Sequence, residues 1–323
     1  MIQYALRRLL ISIPLILVAT FLIFTVMSLT GDPLADLRQL PNISQERIDM
    51  IRAARGLDQP FWVQYGNWLA AIPNDGFGTY LTSQRQILPD IQRVMGNTLQ
   101  LVVTAEIFAF SLAVFLGVVS ARKQYSVFDY FTTTISFFGL AMPSFWFALI
   151  LQLLVIVGIN TFGIQFFPIA SLSSSSPGTG FAFWIDRAWH LVLPILTLSL
   201  ASIATYSRYM RASMLEVIHA DYVRTARSKG LPERTITVRH AMRNAMIPTV
   251  TITALSIGTL FAGSIIVERV FGLDGMGNYF IEHLGSRDPY PIMAWLLIVG
   301  TLIVFFNLVA DIVYGLLDPR IRQ

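Results

Sequence analysis

Cysteine is absent from the 323-residue chain. That absence excludes disulfide frameworks, zinc–thiolate sites, thiol nucleophiles and iron–sulfur clusters. Charge is also scarce, at 13% of residues, about half of the roughly 25% found in an ordinary soluble domain. With 54% hydrophobic residues and a mean hydropathy of +0.62, too little polar material remains to clothe a single soluble core. A membrane protein is predicted. Lysine occurs only at Lys123, followed by Gln124, and at Lys229, followed by Gly230. Neither can be the lysine of a Gly-Lys-Ser/Thr phosphate loop. His190, His219, His240 and His283 fall in separate segments without paired-ligand spacing, which argues against a metal site. A Gly-x-Ser-x-Gly elbow is missing too, so catalysis by this chain is not expected.

What the chain has in abundance is long apolar runs. About 20 residues of helix cross a hydrocarbon core, and six runs qualify, at residues 9–29, 99–119, 131–157, 191–206, 247–267 and 292–316. The fourth is short and carries Pro194. The first follows Arg7 and Arg8, yet it exceeds the usual signal-peptide core of about 7–15 residues and reads as an uncleaved span.

Orientation follows from Lys and Arg, which resist translocation. With the N-terminus inside, the inner set is Arg7, Arg8, Arg122, Lys123, the eight basic residues from Arg208 to Arg243, Arg320 and Arg322. The outer set is smaller and spread over more loop. Both termini are therefore expected in the cytoplasm. The net charge of +4 becomes a matter of topology, and no nucleic-acid motif or partner is indicated.

The outer segment 30–98 is too long for a simple loop and should fold. Ser44 suits a helix cap, with Ile43 and Ile48 as a hydrophobic staple and Gly56 closing the helix near Arg55. Phe61, Tyr65, Trp68, Leu69 and Ile72 then recur at helical spacing. Such a stripe suits either the membrane interface or packing against the neighbouring outer helix.

The inner segment from Arg208 to Pro248 is the most informative. Met214, Leu215, Val217, Ile218, Tyr222, Val223 and Ala226 form an apolar face, Gly230 terminates it, and Pro232 with Glu233 starts a second amphipathic stretch through Ile236, Val238, Met242 and Met246. On residues alone this also fits a polybasic surface held on anionic lipid. The runs DYVRTARSKGL and RHAMRNAMIP, however, resemble the cytoplasmic coupling loop of ABC importer permeases of the dipeptide, oligopeptide and nickel subfamily. Arg224, Thr225 and Ala226 stand where the general signature has Glu-Ala-Ala, Gly230 matches its Gly, and Pro248 lies further downstream than usual. The likeness extends to Tyr4, Arg7, Arg8 and Pro14, to Gly31-Asp32-Pro33, and to GLDQPFWVQYGNWL, GFGTYL, MPSFWFAL, ERVFGLDGMGNYF, RDPYPI and NLVADIVYGLLDPRIR. The insertion after the first span is similar to the B-type subunit.

The resemblance implies an all-α, six-span type I importer permease in a bacterial or archaeal cytoplasmic membrane. Its expected division is an N-terminal span at 1–29, an extracytoplasmic insertion at 30–98, and a core at 99–323 with the coupling loop at 207–246. Expected partners are a homologous C-type permease, two ABC ATPase subunits holding ATP and Mg, an extracytoplasmic solute-binding protein and membrane lipid. No cofactor is expected on this chain. Asp221, Tyr222, Thr225, Ala226, Lys229, Gly230 and Leu231 are the expected coupling residues, with Tyr222, Thr225, Ala226 and Gly230 nearest an ATPase. Glu106 and Asp311 interrupt apolar spans, either as pathway contacts, including one to a peptide amino group for Glu106, or as bonds between spans. Gly139, Pro143 and Pro194 suit kinks at a gate, and are also routine in membrane helices. Peptides are the expected cargo, with nickel or another small solute as the alternative. An ion-coupled carrier would need paired intramembrane charges and inverted repeats. A membrane enzyme would need a catalytic constellation.

Overall fold

The computed structural model describes residues 2–35, 38, 43–81, 83–286 and 288–317. Arg287 and residues 318–322 of the family-like motifs lie outside them, as do the side chains of Tyr4, Arg7 and Arg8. The helices in chain order are α1 (Ile2–Thr30), α2 (Gln45–Ala54), α3 (Phe61–Asp75), α4 (Ile87–Arg122), α5 (Val127–Ala141), α6 (Ser144–Phe162), α7 (Phe181–Ile218), α8 (Asp221–Ser228), α9 (Glu233–Thr235), α10 (Met242–Val270), α11 (Met276–Leu284) and α12 (Pro289–Leu317). A π-helical stretch, Ile236–Ala241, leads from α9 into α10. No strand occurs among the described residues, where pairing is limited to one isolated bridge between Thr79 and Gln86. The all-helical expectation holds.

Two compact units make up the chain, one of Ile2–Thr98 with Asp274–Val304, the other of Leu99–Leu273 with the chain from Phe305 onward. In the first unit, α1 carries the apolar run Leu10–Leu29, whose 20 residues span about 30 Å as helix. The Ser44 side chain accepts from the Arg47 N–H and starts α2. Ile43 packs with buried Leu34, Ile48 and Leu81, and Gly56 closes the helix at a left-handed φ of 64°, a conformation that costs residues with a Cβ. The aromatic stripe of α3 turns onto α1. The Tyr65 hydroxyl donates to the Leu17 carbonyl at 2.9 Å and pairs with Thr20 Oγ1 at 2.8 Å, with Phe21 edge-on to its ring. The first span thus supplies the surface that covers Tyr65, and Trp62 remains 59% exposed.

Three expected boundaries change. The run 131–157 is two helices, because Pro143 lacks an N–H and pushes Met142 to an extended ψ of 121°. The short run 191–206 is the middle of the 38-residue α7, about 57 Å long. Pro194 does not end it, since membrane helices tolerate proline where neighbours satisfy the freed backbone, and good helix formers such as Met210, Arg211, Met214, Leu215 and Glu216 carry it onward. The second run begins at Ile87 as α4. Among the described residues, α1, α4, α6, α7 and α12 are long and apolar enough to cross a membrane, and α10 covers the fifth expected run.

α7 is the axis of its unit. A Cβ on Gly117 of α4 would lie 2.6 Å from Met210 Cβ and 2.8 Å from the Ser207 carbonyl oxygen, so the two helices meet backbone to backbone there. α5 runs antiparallel along the same helix. Asp129 meets Arg211, Ser136 Oγ lies 3.2 Å from Ser207 Oγ, and Gly139 faces Leu200.

Candidate functional site

The C-terminal end of α7 and the connection to α10 form one packed knuckle. Met210, Met214, Val223, Ala226, Ile236, Ala241 and Ala245 share a buried cluster with Ala121. α7 stops at Ile218, and Ala220 in an extended conformation turns the chain into α8. The eight residues of α8 place Val223 and Ala226 three positions apart on one face, against that cluster, and leave its other residues exposed.

The expected coupling residues divide accordingly. Asp221 is exposed beside Arg224 at 3.9 Å. Tyr222 is 42% exposed, and its hydroxyl accepts from Asn244 Nδ2 at 2.9 Å. Thr225 is exposed and donates from Oγ1 to the Asp221 carbonyl at 2.9 Å. Lys229 and Leu231 are exposed. Gly230, at φ 74°, donates its N–H to the Arg227 carbonyl and ends the helix. Ala226 is only 6% exposed, because the face three residues from Val223 points into the knuckle. The stretch after Pro232 runs through the π-helical turns into α10, with Ile236 buried, Met242 and Met246 packed on the same cluster, and Val238 51% exposed.

Two ion pairs that the motifs do not signal hold this knuckle. Arg227 Nε reaches Glu233 Oε1 at 2.7 Å across the Gly230 turn, and this hydrogen bond keeps the Glu233 carboxyl below its usual range. Arg211 grips Asp129 through Nε to Oδ1 at 2.6 Å and Nη2 to Oδ2 at 2.7 Å. Asp129 is buried and also accepts the Tyr125 N–H. One sequence signal for it exists: Ser126 to Asp129 has the spacing of a helix-capping pair, and the Ser126 hydroxyl does accept from the Asp129 N–H.

Glu106 lies far from this knuckle along α4. It is buried, and the Tyr206 hydroxyl of α7 donates to its Oε1 at 2.7 Å, while Oε2 has no hydrogen-bond partner among the described residues. Ala109, Ala113, Ile203 and Ile252 pack around the Tyr206 ring. Asp311 is half-buried on α12. A Cβ on Gly139 would lie 3.2 Å from Leu200 Cδ1, Pro143 caps α6, and Pro194 is buried within α7. The sequence-derived residues are therefore not brought into a single pocket. Among the described residues no group of three or more His, Asp or Glu is placed to hold a metal.

Residues 113–323 match the family described as binding-protein-dependent transport system inner membrane component, and residues 1–82 match the family of its N-terminal part. The chain is 39% identical to the oligopeptide transport system permease protein AppB of Bacillus subtilis, with 100% of each chain covered. It is 36% identical to the dipeptide transport system permease protein DppB of Escherichia coli, covering 100% of this chain and 99% of that protein. The oligopeptide transport system permease protein OppB of Mycobacterium tuberculosis is likewise 36% identical over 100% and 99%.

Proposed function

The chain belongs to the family of binding-protein-dependent transport system inner membrane components, and we propose that it is the B-type permease subunit of an ATP-driven importer of dipeptides or oligopeptides. The observation that carries this reading is end-to-end similarity to permeases named for peptide transport. The chain is an integral inner-membrane protein that forms part of the path for the cargo. ATP and Mg bind and react in two partner ATPase subunits, which fits a chain whose two lysines both lack phosphate-loop context. A C-type permease completes the path and an extracytoplasmic binding protein delivers the peptide.

In this reading the chain crosses the membrane six times, through α1, α4, the broken pair α5 and α6, α7, α10 and α12, with both termini in the cytoplasm. Counting the broken pair as one crossing is supported by its packing. Asp129, Ser136 and Gly139 follow α7 from Arg211 back to Leu200, and Gln152 of α6 then donates to the Val270 carbonyl at the far end of α10. The basic residues between Arg208 and Arg243 fall on the inner side. The segment 30–98 lies outside and docks the binding protein, and residues 99–323 form the permease core.

α8 is then the element that seats on an ATPase, presenting Tyr222, Thr225 and Lys229, while Val223 and Ala226 bind it to the end of α7. Movement imposed on α8 passes to α7 as a rigid unit because the buried cluster is shared. Reconstitution of the complex tests the reading. ATPase activity stimulated by peptide-loaded binding protein, with peptide accumulating in the vesicle, is expected; nucleotide hydrolysis by this chain alone would overturn it.

A further inference from the structure

A cavity of about 480 Å³ lies within the first unit where α1 ends, a volume in the range of small-ligand sites. Its walls differ in kind. Phe24, Met27 and Leu57 contribute apolar surface to the lining, and Asp32, Arg38 and Arg52 supply charge. We propose that this cavity holds the phosphodiester headgroup of an anionic phospholipid.

Depth is the first argument. The apolar run of α1 ends at Leu29, which is 82% exposed, as are Leu22 and Val26 in large part. Residues Gly31 to Pro33 therefore stand where hydrocarbon gives way to headgroups. Charge is the second. Arg52 Nη2 at 2.6 Å and Arg38 Nη2 at 2.7 Å both bind the same oxygen, Asp32 Oδ2, while Oδ1 accepts the Leu34 N–H. One carboxylate between two guanidinium groups leaves the cluster with a net positive charge, and a guanidinium has five donors, of which Asp32 engages one on each. The planar fork suits phosphate oxygens. A soluble phosphate has the same anionic chemistry, but it makes no use of Phe24, Met27 and Leu57; a glycerol backbone and the first acyl carbons do. The site is independent of the cargo.

The intact importer complex, reconstituted in nanodiscs of equal phosphatidylglycerol and phosphatidylcholine and then extracted for native mass spectrometry, tests this. Replacing both arginines, Arg38→Gln with Arg52→Gln, is expected to lower the retained ratio of phosphatidylglycerol to phosphatidylcholine about tenfold. The pair Arg38→Lys with Arg52→Lys keeps most of the preference, and Arg85→Gln, elsewhere in the same unit, leaves it intact. Should the double Gln variant fail to assemble, Arg38→Gln alone, at a half-exposed side chain, is expected to lower the ratio about threefold. An unchanged ratio in the assembled Gln variants, or an equal fall with Arg85→Gln, overturns the site. Release of the lipid by millimolar inorganic phosphate overturns the lipid as its occupant.

Discussion

Arg211 on α7 holds Asp129 at the start of α5 by two parallel hydrogen bonds of 2.6 and 2.7 Å. The carboxylate is buried while the guanidinium is about a quarter exposed, so the pair is bidentate and only partly screened. Lying well before the Met142–Pro143 break, it fixes the start of α5 to the helix that bears α8. Replacing one partner strands a buried charge, which costs about 3–5 kcal/mol in a dry site and about 2–3 kcal/mol here after allowing for solvent at Arg211. Arg211→Met is expected to lower the unfolding temperature of the purified complex more than Arg211→Met combined with Asp129→Leu. If the double variant is the less stable, the pair is a net stabiliser rather than an orienting clamp.

The close approach of α4 and α7 is equally testable. Gly117→Ala puts a methyl group 2.6 Å from Met210 Cβ and 2.8 Å from a backbone oxygen, and forcing the helices apart costs about 1–3 kcal/mol. Gly96→Ala on the same helix meets nothing within 4 Å, and there alanine gains about 0.5–1 kcal/mol over glycine. Opposite shifts in thermal stability are expected; a stable Gly117→Ala protein would mean the helices are further apart.

Tyr206 and Glu106 separate two roles for a carboxyl in a span. The hydroxyl donates to Oε1 at 2.7 Å. Glu106→Gln keeps an acceptor and is expected to preserve folding and most transport, whereas Tyr206→Phe leaves a buried acceptor unmet, at about 1–3 kcal/mol. Peptide uptake measured beside unfolding decides the matter. Wild-type stability with abolished uptake in Glu106→Gln would assign the charge to the path.

Much of this was legible in order of length scale. Long apolar runs announced the long helices, because a 20-residue run leaves few other folds, and the Ser44 cap with its Ile43 and Ile48 staple announced α2. Helix ends were not. Hydropathy falls where α7 leaves the apolar stretch at Tyr206, yet the helix continues to Ile218, since backbone bonding and propensity do not depend on hydropathy. The inward turn of Ala226 was hidden for another reason. A short helix shows its buried face only once its neighbours are known, and Ile236 and Ala241 come from beyond the Gly230 turn. The Asp129–Arg211 pair joins residues 82 positions apart, and no local pattern encodes such a partner.

Asp288 gives a pH dependence with a definite sign. Its carboxyl accepts the Leu81 N–H at 2.7 Å and the Tyr290 N–H at 3.1 Å, but burial outweighs these bonds and pushes its pKa up to about 6. The unfolded chain has an ordinary value near 3.9. The folded form therefore binds the proton more tightly, and this contribution to stability is full below about pH 4 and lost as pH rises through about 6. The loss is at most about 3 kcal/mol. Chemical denaturation of the complex between pH 4 and 7 should show it, and Asp288→Asn should remove that slope. An unchanged slope in the Asn variant would mean that another group titrates.

Surface and interior positions of α8 make the last test. Cysteine is absent from the chain, so single cysteines report cleanly. Thr225→Cys is exposed and is expected to react with maleimide in the isolated chain, to be protected in the assembled importer, and to crosslink to an ATPase subunit. Ala226→Cys, facing the Met214 and Ile236 cluster, is expected to react slowly in both states. Gly230→Ala, at φ 74°, strains the turn by about 1 kcal/mol and should reduce peptide uptake per ATP hydrolysed more than it reduces assembly, because the Arg227–Glu233 bridge still spans the turn. Equal labelling of the two cysteines, or full coupling in the Gly230 variant, would place the ATPase contact on another segment.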